Sequence, residues 1–313
     1  MKACIDIGGT KVAVSLASGN DPLPVLLGRR TEPTAKTGNN DALAVQIIRM
    51  VNATCVELGV DPATVQNAGV SSCGPFIIND GLIELAGPNI CGGMAGPARG
   101  LPNDWRTALL EAPLGARFAR VRIENDCVAA LEAERHWGAL QGFDHCAYVT
   151  WSTGIGVGLC VDGNVLRGKN GNAGHAGHMF VSDNDDALCG CGNIGDVEGL
   201  VAGNAIARRF GQEAPVLFQA ARAGDAAALK IVDGLCRVLG RALYNLVAVL
   251  DLQRISLGGS VFWHNREFLL PRLQAHIDAH LPALTAGALL VPGLGRQSGR
   301  LRCCGIGLKL DFG

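Results

Sequence analysis

Aromatic side chains are scarce in this chain: two Tyr, four Trp and nine Phe make up 5% of its 313 residues. Proteins that grip single-stranded nucleic acid stack bases on such rings, so that class of partner is disfavoured. Charge of one sign is missing as well. Lys and Arg number 27 against 28 Asp and Glu, for a net charge of −1. No Lys/Arg block gives an electrostatic footprint for a phosphodiester backbone or an anionic membrane surface. No apolar run is long enough to read as a transmembrane span. The apolar N-terminal stretch is broken by Asp6 and Lys11 and does not read as a signal peptide, so a cytoplasmic location is expected.

What the chain does have is apolar residues (48%), 43 glycines and 12 cysteines. A length of 313 residues suggests about two domains, each able to bury a core. In a reducing compartment most of the cysteines act as small buried hydrophobes, and Cys4, Cys127, Cys146, Cys160 and Cys236 all lie in apolar runs. Only Cys189 and Cys191 look like ligands.

Lys2 to Ile7 reads as a strand, Gly8-Gly9-Thr10 as a turn, Lys11 to Ala17 as a returning strand and Ser18 to Asp21 as the next turn. Asp41 to Leu58 has helical spacing, with Asn40 or Asp41 as its cap and Gly59 as its stop. Asn67 to Ser71 reads as a short buried strand, Gly74 to Pro102 as a long loop, Arg120 to Glu124 as a strand and Asp126 to Leu140 as a helix. The opening pattern then returns: His145 to Thr150, a Gly turn at Ser152 to Gly156, and Val157 to Val161. GGTKVAVSLASGN near the start matches TGIGVGLCVDGN here in kind, which suggests an internal duplication and two related α/β domains. Helical periodicity follows over Asp225 to Leu250, then a strand at Arg254 to Leu257, then Asn265 to His280 with Pro271 kinking or splitting it. No low-complexity linker separates the halves. The boundary is placed near Arg120, giving domains 1–120 and 121–313, with the last residues returning to the first.

Three Gly turns follow strands: Asp6-Ile7-Gly8-Gly9-Thr10-Lys11, Ser152-Thr153-Gly154-Ile155-Gly156 and Leu257-Gly258-Gly259-Ser260. Glycines there let backbone N–H groups approach a phosphate. A strand-end Asp6 could hold Mg²⁺ through water. Each turn alone is also what an ordinary hairpin needs. Glu124-Asn125-Asp126 lies between a strand and a helix; its carboxylate could take a proton from a hydroxyl, or Asn125 or Asp126 could simply cap the helix. His178, Cys189 and Cys191 have the makings of a Zn²⁺ site, with Asp196 or His175 as a fourth ligand. The other reading is two reduced thiols and a surface histidine.

Together these stretches resemble the ROK family of sugar kinases, repressors and uncharacterised open reading frames. The resemblance runs from Asp6 to about Ser260 through DIGGTK, CGP at Cys73 to Pro75, PN at Pro88-Asn89, END at Glu124 to Asp126, STGIGVG at Ser152 to Gly158, GNAGHAGH at Gly171 to His178, CGCGNIGDVEG at Cys189 to Gly199, and LGGS at Leu257 to Ser260. It implies two actin-like ATPase (ribonuclease H-like) α/β domains with a cleft between them, ATP and Mg²⁺ as cofactors, and a sugar or sugar-like substrate. Asp126 would be the catalytic base. Gly74, Asn89, Asn125, His178 and Glu198 would hold sugar hydroxyls, with His175 beside them. Asp6, Gly8, Gly9, Thr10, Lys11, Thr153 and Gly154 would serve the phosphates and Mg²⁺, and Gly258 and Gly259 the nucleoside. Kinases of the family are often homodimers, so a homodimer is expected.

Two departures stand out. His175 occupies the place of the family's sugar-binding Glu; a neutral imidazole offers one donor and one acceptor with a different reach. A hexose, a modified sugar or a cyclitol are therefore all admitted as substrate. Asp196 replaces the third Cys of the family's zinc site, leaving a Cys₂-His-Asp set. Polyphosphate in place of ATP is not favoured, since no dense basic groove is visible. A repressor role is not expected, because the phosphate loop begins at Asp6 and leaves no helix-turn-helix before it. A catalytically silent sugar sensor is the remaining alternative.

Overall fold

The computed structural model describes residues 1–18, 23–95, 100–183, 187–295, 301–304 and 306. The turn expected at Ser18 to Asp21 lies, past Ser18, outside the described residues. The chain packs as two units. One holds Met1–Ala133, Arg167–Ala173 and the described residues from 301 on; the other holds Glu134–Leu166 and the described residues 174–295.

In chain order the first unit contains β1 (Lys2–Ile7), β2 (Lys11–Ser18), β3 (Val25–Pro33), β4 (Asn67–Ser72), β5 (Phe76–Asn79), β6 (Leu82–Leu85), β7 (Ala108–Leu109) and β8 (Arg120–Asn125). β1 and β2 are apolar and buried at nearly every position, as strands covered on both faces must be. The main sheet runs β3-β2-β1-β4-β8. β1 and β2 form an antiparallel hairpin, while β4 and β8 join in parallel. The helix Ala42–Glu57 buries Leu43, Ile47, Met50 and Val51 in the same core as Ile5, Val14 and Val70. The cap position before it is Asp41, but the Asp41 side chain makes no capping hydrogen bond because its backbone is already in the helical region.

The expected loop 74–102 is not all loop. β5 and β6 form a hairpin across Asp80-Gly81, and β7 extends it to three strands. Asp80 (φ 48°) and Gly81 (φ 79°) both take positive φ, the backbone of a tight two-residue hairpin turn, so the signal was an Asp-Gly pair between short apolar runs. Arg167–Ala173 is tied to this unit by polar contacts. Asn172 brackets Phe76, accepting from its N–H (2.8 Å) and donating to its carbonyl (2.7 Å), and Arg167 pairs with the buried Glu124 at 2.7 Å.

The second unit contains β9 (Cys146–Trp151), β10 (Ile155–Val161), β11 (Asn164–Val165), β12 (Arg254–Gly258) and β13 (Leu289–Pro292). Its sheet runs β11-β10-β9-β12-β13, a hairpin pair and then two parallel additions. This is the plan of the first sheet repeated, which is the duplication suggested by the two matching hairpins. The expected boundary at 120/121 falls at the start of β8, whose ladder with β4 keeps it in the first sheet.

The long helix Ala226–Leu250 forms the spine of the second core, burying Val232, Leu235, Leu239, Leu243 and Val247. It packs on the helix Arg266–Asp278, which continues through Pro271 without splitting. The two approach closely at Gly240, where an added Cβ would lie 2.4 Å from the His276 Cβ; Gly234 has open space instead. Glu134 is fully buried and accepts backbone N–H groups from Ala139 and Leu294 (3.0 and 2.6 Å), and burial raises the pKa of its carboxyl. None of the 12 cysteines, all among the described residues, is in a disulfide, and ten of them are buried. Among the described residues, no helix is long and apolar enough to cross a membrane.

The two glycines predict opposite effects. Gly240→Ala should destabilise by about 1–3 kcal/mol, because two helices must separate. Gly234→Ala should stabilise by about 0.5–1 kcal/mol through helix propensity and loss of unfolded-chain entropy. Urea unfolding midpoints of the two variants measure both.

Candidate active site

The parallel strands of the first unit end together. Asp6 sits opposite Ser71, and Ser71 opposite Glu124. One edge of the sheet thus carries Asp6-Ile7, Ser71-Ser72 and Glu124-Asn125 at the carboxyl ends of its strands, the edge at which open α/β sheets bind ligands. Asp126 follows at the first residue of the helix Asp126–Trp137. The two capping candidates separate here: the Asn125 Oδ1 accepts the Cys127 N–H at 2.9 Å, and Asp126 keeps a side chain 35% exposed. Asn125 itself is buried.

Sequence reasoning did not find Arg302. Its guanidinium donates to Asp6 Oδ1, and its Nη1 lies 3.8 Å from Asp126 Oδ2. Burial alone would lower the Arg302 pKa, but the attraction of Asp6 and Asp126 raises it overall. In the sequence Arg302 follows Arg300 by two residues and opens the run Cys303-Cys304, and nothing there sets it apart. Cys73 belongs to the same neighbourhood. Burial, then the Asp126 and Asp6 charges, push its thiol up to about 12, so it stays protonated. Gly74 follows it in the chain.

The first Gly turn is braced from behind. Gly8 N–H donates to the Lys11 carbonyl (2.9 Å), the Thr34 hydroxyl to the Gly8 carbonyl (2.8 Å), and the Thr34 N–H to the Thr10 carbonyl (3.1 Å). Thr10 and Lys11 are exposed. A Cβ on Gly9 would come within 3.0 Å of the Asn89 Cβ, so glycine is what lets Asn89 sit against this turn.

In the second unit, Ser152, Thr153 and Gly154 turn between β9 and β10, and Gly258 pairs with Thr150 at the end of β12. The two Gly turns meet there, with the Ser152 and Ser260 hydroxyls 3.1 Å apart. Gly259 takes φ +87°, and a Cβ there would lie 2.4 Å from the Trp151 carbonyl oxygen, so no other residue fits. Glu198 Oε2 accepts the Ile155 N–H at 2.9 Å, and a Cβ on Gly154 would meet the same oxygen at 2.6 Å. Glu198 is therefore pressed against the turn that carries Thr153.

Glu198 also touches the cysteine segment, where the Cys189 thiol lies 3.5 Å from its Oε1. His178, Cys189, Cys191 and Asp196 offer four donor atoms within 4.8 Å of one another. His178 Nδ1 lies 3.0 Å from Asp196 Oδ2, 3.5 Å from Cys191 Sγ and 3.8 Å from Cys189 Sγ. Tetrahedral Zn²⁺ bonds of about 2.0–2.3 Å put donors roughly 3.3–3.8 Å apart; the 3.5, 3.6 and 3.8 Å separations fall in that range, and the His178–Asp196 separation of 3.0 Å is shorter. Without an ion, burial raises the Cys189 thiol pKa well above its ordinary value. Asp196 is wholly buried, and its second oxygen caps the helix Val197–Val201 through the Gly199 N–H at 2.6 Å. Of the two candidates for the fourth position, Asp196 is in the cluster. The His175 ring is instead stacked on that of His178, with centroids 6.1 Å apart.

The ROK family model matches residues 2–299. The chain belongs to the ROK family. Relatives of this ROK protein include a glucokinase of Aeropyrum pernix, 28% identical over 302 residues covering 89% of this chain and 87% of that protein. An N-acetylmannosamine kinase of Salmonella typhimurium is 32% identical over 262 residues, 82% of each. Among solved structures, a ROK hexokinase from Thermus thermophilus superposes with a TM-score of 0.79 at 30% identity over 99% of both chains. A ROK glucokinase from Streptomyces griseus, in complex with glucose and AMPPNP, gives 0.71 at 25% identity over 98% of this chain and 99% of that one. The ROK fold of two actin-like ATPase-type α/β domains corresponds to the two units described above.

Asp196 does two jobs, so its loss should be felt in the fold. Asp196→Ala should lower stability by about 1–3 kcal/mol, because the Gly199 N–H loses its cap and His178 its partner. Asp196→Asn, which can still cap, should cost less. Thermal unfolding with chelator present isolates this effect from any metal.

Proposed function

We propose that this ROK protein is an ATP-dependent kinase that phosphorylates a hydroxyl of a hexose, a modified sugar or a cyclitol, with Asp126 as general base. The observation that carries this is the placement of Asp126. It stands at the strand-end edge with its side chain partly open, while Asn125 does the capping. Asp126 takes the proton of the acceptor hydroxyl as that oxygen bonds to the γ-phosphorus and the bond to ADP breaks. The remaining work is orientation and charge stabilisation rather than covalent catalysis.

Asn89, Asn125, Gly74, His178 and Glu198 hold the sugar, and His175 stands where the family places a carboxylate. Gly8 to Lys11, Thr153 and Gly154 receive the phosphates, and Gly258 and Gly259 the nucleoside. Asp6 would hold the nucleotide's Mg²⁺ through water, an ion that supplies charge neutralisation when bound. His178, Cys189, Cys191 and Asp196 would hold a structural Zn²⁺. That ion would fix the start of the helix that bears Glu198, and the donor spacing given above supports it.

Three measurements test this. ADP release across a panel of hexoses, aminosugars and cyclitols should single out one class, and a protein inert toward all of them sinks the proposal. On that substrate Asp126→Asn should fold and bind nucleotide but lose about 10²–10⁴-fold in kcat; near-normal turnover would remove Asp126 from its role. Protein purified without chelator should carry about one zinc per chain by elemental analysis, and Cys189→Ser should carry none.

A further inference from the structure

The mechanism above leaves Arg302 without a task, yet its guanidinium lies against both acids that the mechanism uses. One Nη donates to Asp6, and the other lies 3.8 Å from Asp126 Oδ2. The neighbours that aim it are buried: Leu301, Cys303, Cys304 and Ile306 all pack into the first unit. The Cys304 thiol touches that of Cys4 on β1 at 3.3 Å, and the buried Cys303 thiol lies beside the Ser71 backbone at the end of β4. Segment 301–304 is thus pinned to the same strands that carry the acid edge. The Arg302 Nε is buried with no hydrogen-bond partner. An orphaned donor costs about 1–3 kcal/mol, which its charge contacts with two carboxylates offset.

The charge count explains why a cation is useful here. Two carboxylates share one guanidinium, so the group Asp6, Asp126 and Arg302 carries one net negative charge where the kinase proposal puts the triphosphate. A guanidinium is planar, permanently charged and weakly hydrated, so it can serve a carboxylate and a phosphoryl oxygen at once.

We propose that Arg302 is a positioning residue for phosphoryl transfer: it holds Asp6 and Asp126 as a pair, supplies fixed positive charge beside the transferring group, and competes with the divalent cation for Asp6. This rests on the kinase proposal. Arg302 keeps its proton throughout; the proton in transit goes from the acceptor hydroxyl to Asp126.

Arg302→Gln and Arg302→Lys, each checked for folding by circular dichroism, test it with two readouts. The first is Mn²⁺ binding to the nucleotide-free protein, read from the electron paramagnetic resonance of free Mn²⁺. Arg302→Gln should bind Mn²⁺ several-fold more tightly, because Asp6 is released, and Arg302→Lys should fall between it and the unaltered protein. The second is steady-state turnover. Arg302→Gln should lose about 10²-fold in kcat with the sugar KM within about twofold, and added guanidinium should restore part of the loss. Unchanged Mn²⁺ affinity, or unchanged kcat, overturns the proposal. If Arg302→Gln does not fold, Arg302→Lys decides by the same two criteria. Were the unaltered protein to phosphorylate nothing, the kinase proposal would fall, while the Mn²⁺ readout would still decide whether Arg302 competes for Asp6.

Discussion

The parallel register of β1, β4 and β8 is the constraint on which the first half of the site depends. Because Asp6, Ser71 and Glu124 stand in one row, the chain leaves all three strands at the same height. Each exit then points its first residues at one edge: the Gly turn after β1, Cys73-Gly74 after β4, and Asp126 after β8. A slip of one residue in β8 would turn Asp126 away from Arg302 and bring the neighbouring residue into its place, since side chains alternate along a strand. The acid edge is thus a property of strand pairing, and strand pairing is held by the apolar core beneath it.

Much of this was legible in the sequence for local reasons. Gly turns after apolar strands are short-range patterns, and so is the resemblance between the hairpins at Gly8 and Gly154, which the two sheets repeat in strand order and direction. The β5–β6 hairpin was equally local, written in Asp80-Gly81, and was hidden by the many Gly and Pro residues around it. What could not be read were contacts between distant parts of the chain. Arg302 meets Asp6 across 296 positions, and nothing near either residue encodes the meeting. The roles of Asn125 and Asp126 were ambiguous for another reason. Both types cap helices well, and only the geometry shows which one bonds to Cys127 N–H.

The cysteine segment shows how one substitution can be carried by its surroundings. A carboxylate in place of a thiolate brings a second oxygen. Here that oxygen caps the helix Val197–Val201 while the first faces His178. Asp196 thereby ties three things together: the donor cluster, the helix start and Glu198 two residues on. Glu198 in turn is hydrogen-bonded to the backbone of the Gly turn that presents Thr153. A metal at the cluster would stiffen a route that already exists in hydrogen bonds.

The two sheets share a plan but carry different chemistry at their edges. Where β1 ends in Asp6-Ile7, β9 ends in Thr150-Trp151; where β4 ends in Ser71-Ser72, β12 ends in Leu257-Gly258. After β8 comes Asp126. After β13 comes Gly293, where a Cβ would lie 2.3 Å from Glu134 Oε1 and 2.5 Å from the Ser256 hydroxyl. A side chain at the place equivalent to Asp126 in the second unit would therefore have to displace the buried Glu134 carboxylate and the Ser256 hydroxyl. The edge of the first sheet carries Asp6, Asp126 and Arg302 beside its Gly turn, whereas the matching strand ends of the second carry Gly turns and the Ser152 and Ser260 hydroxyls.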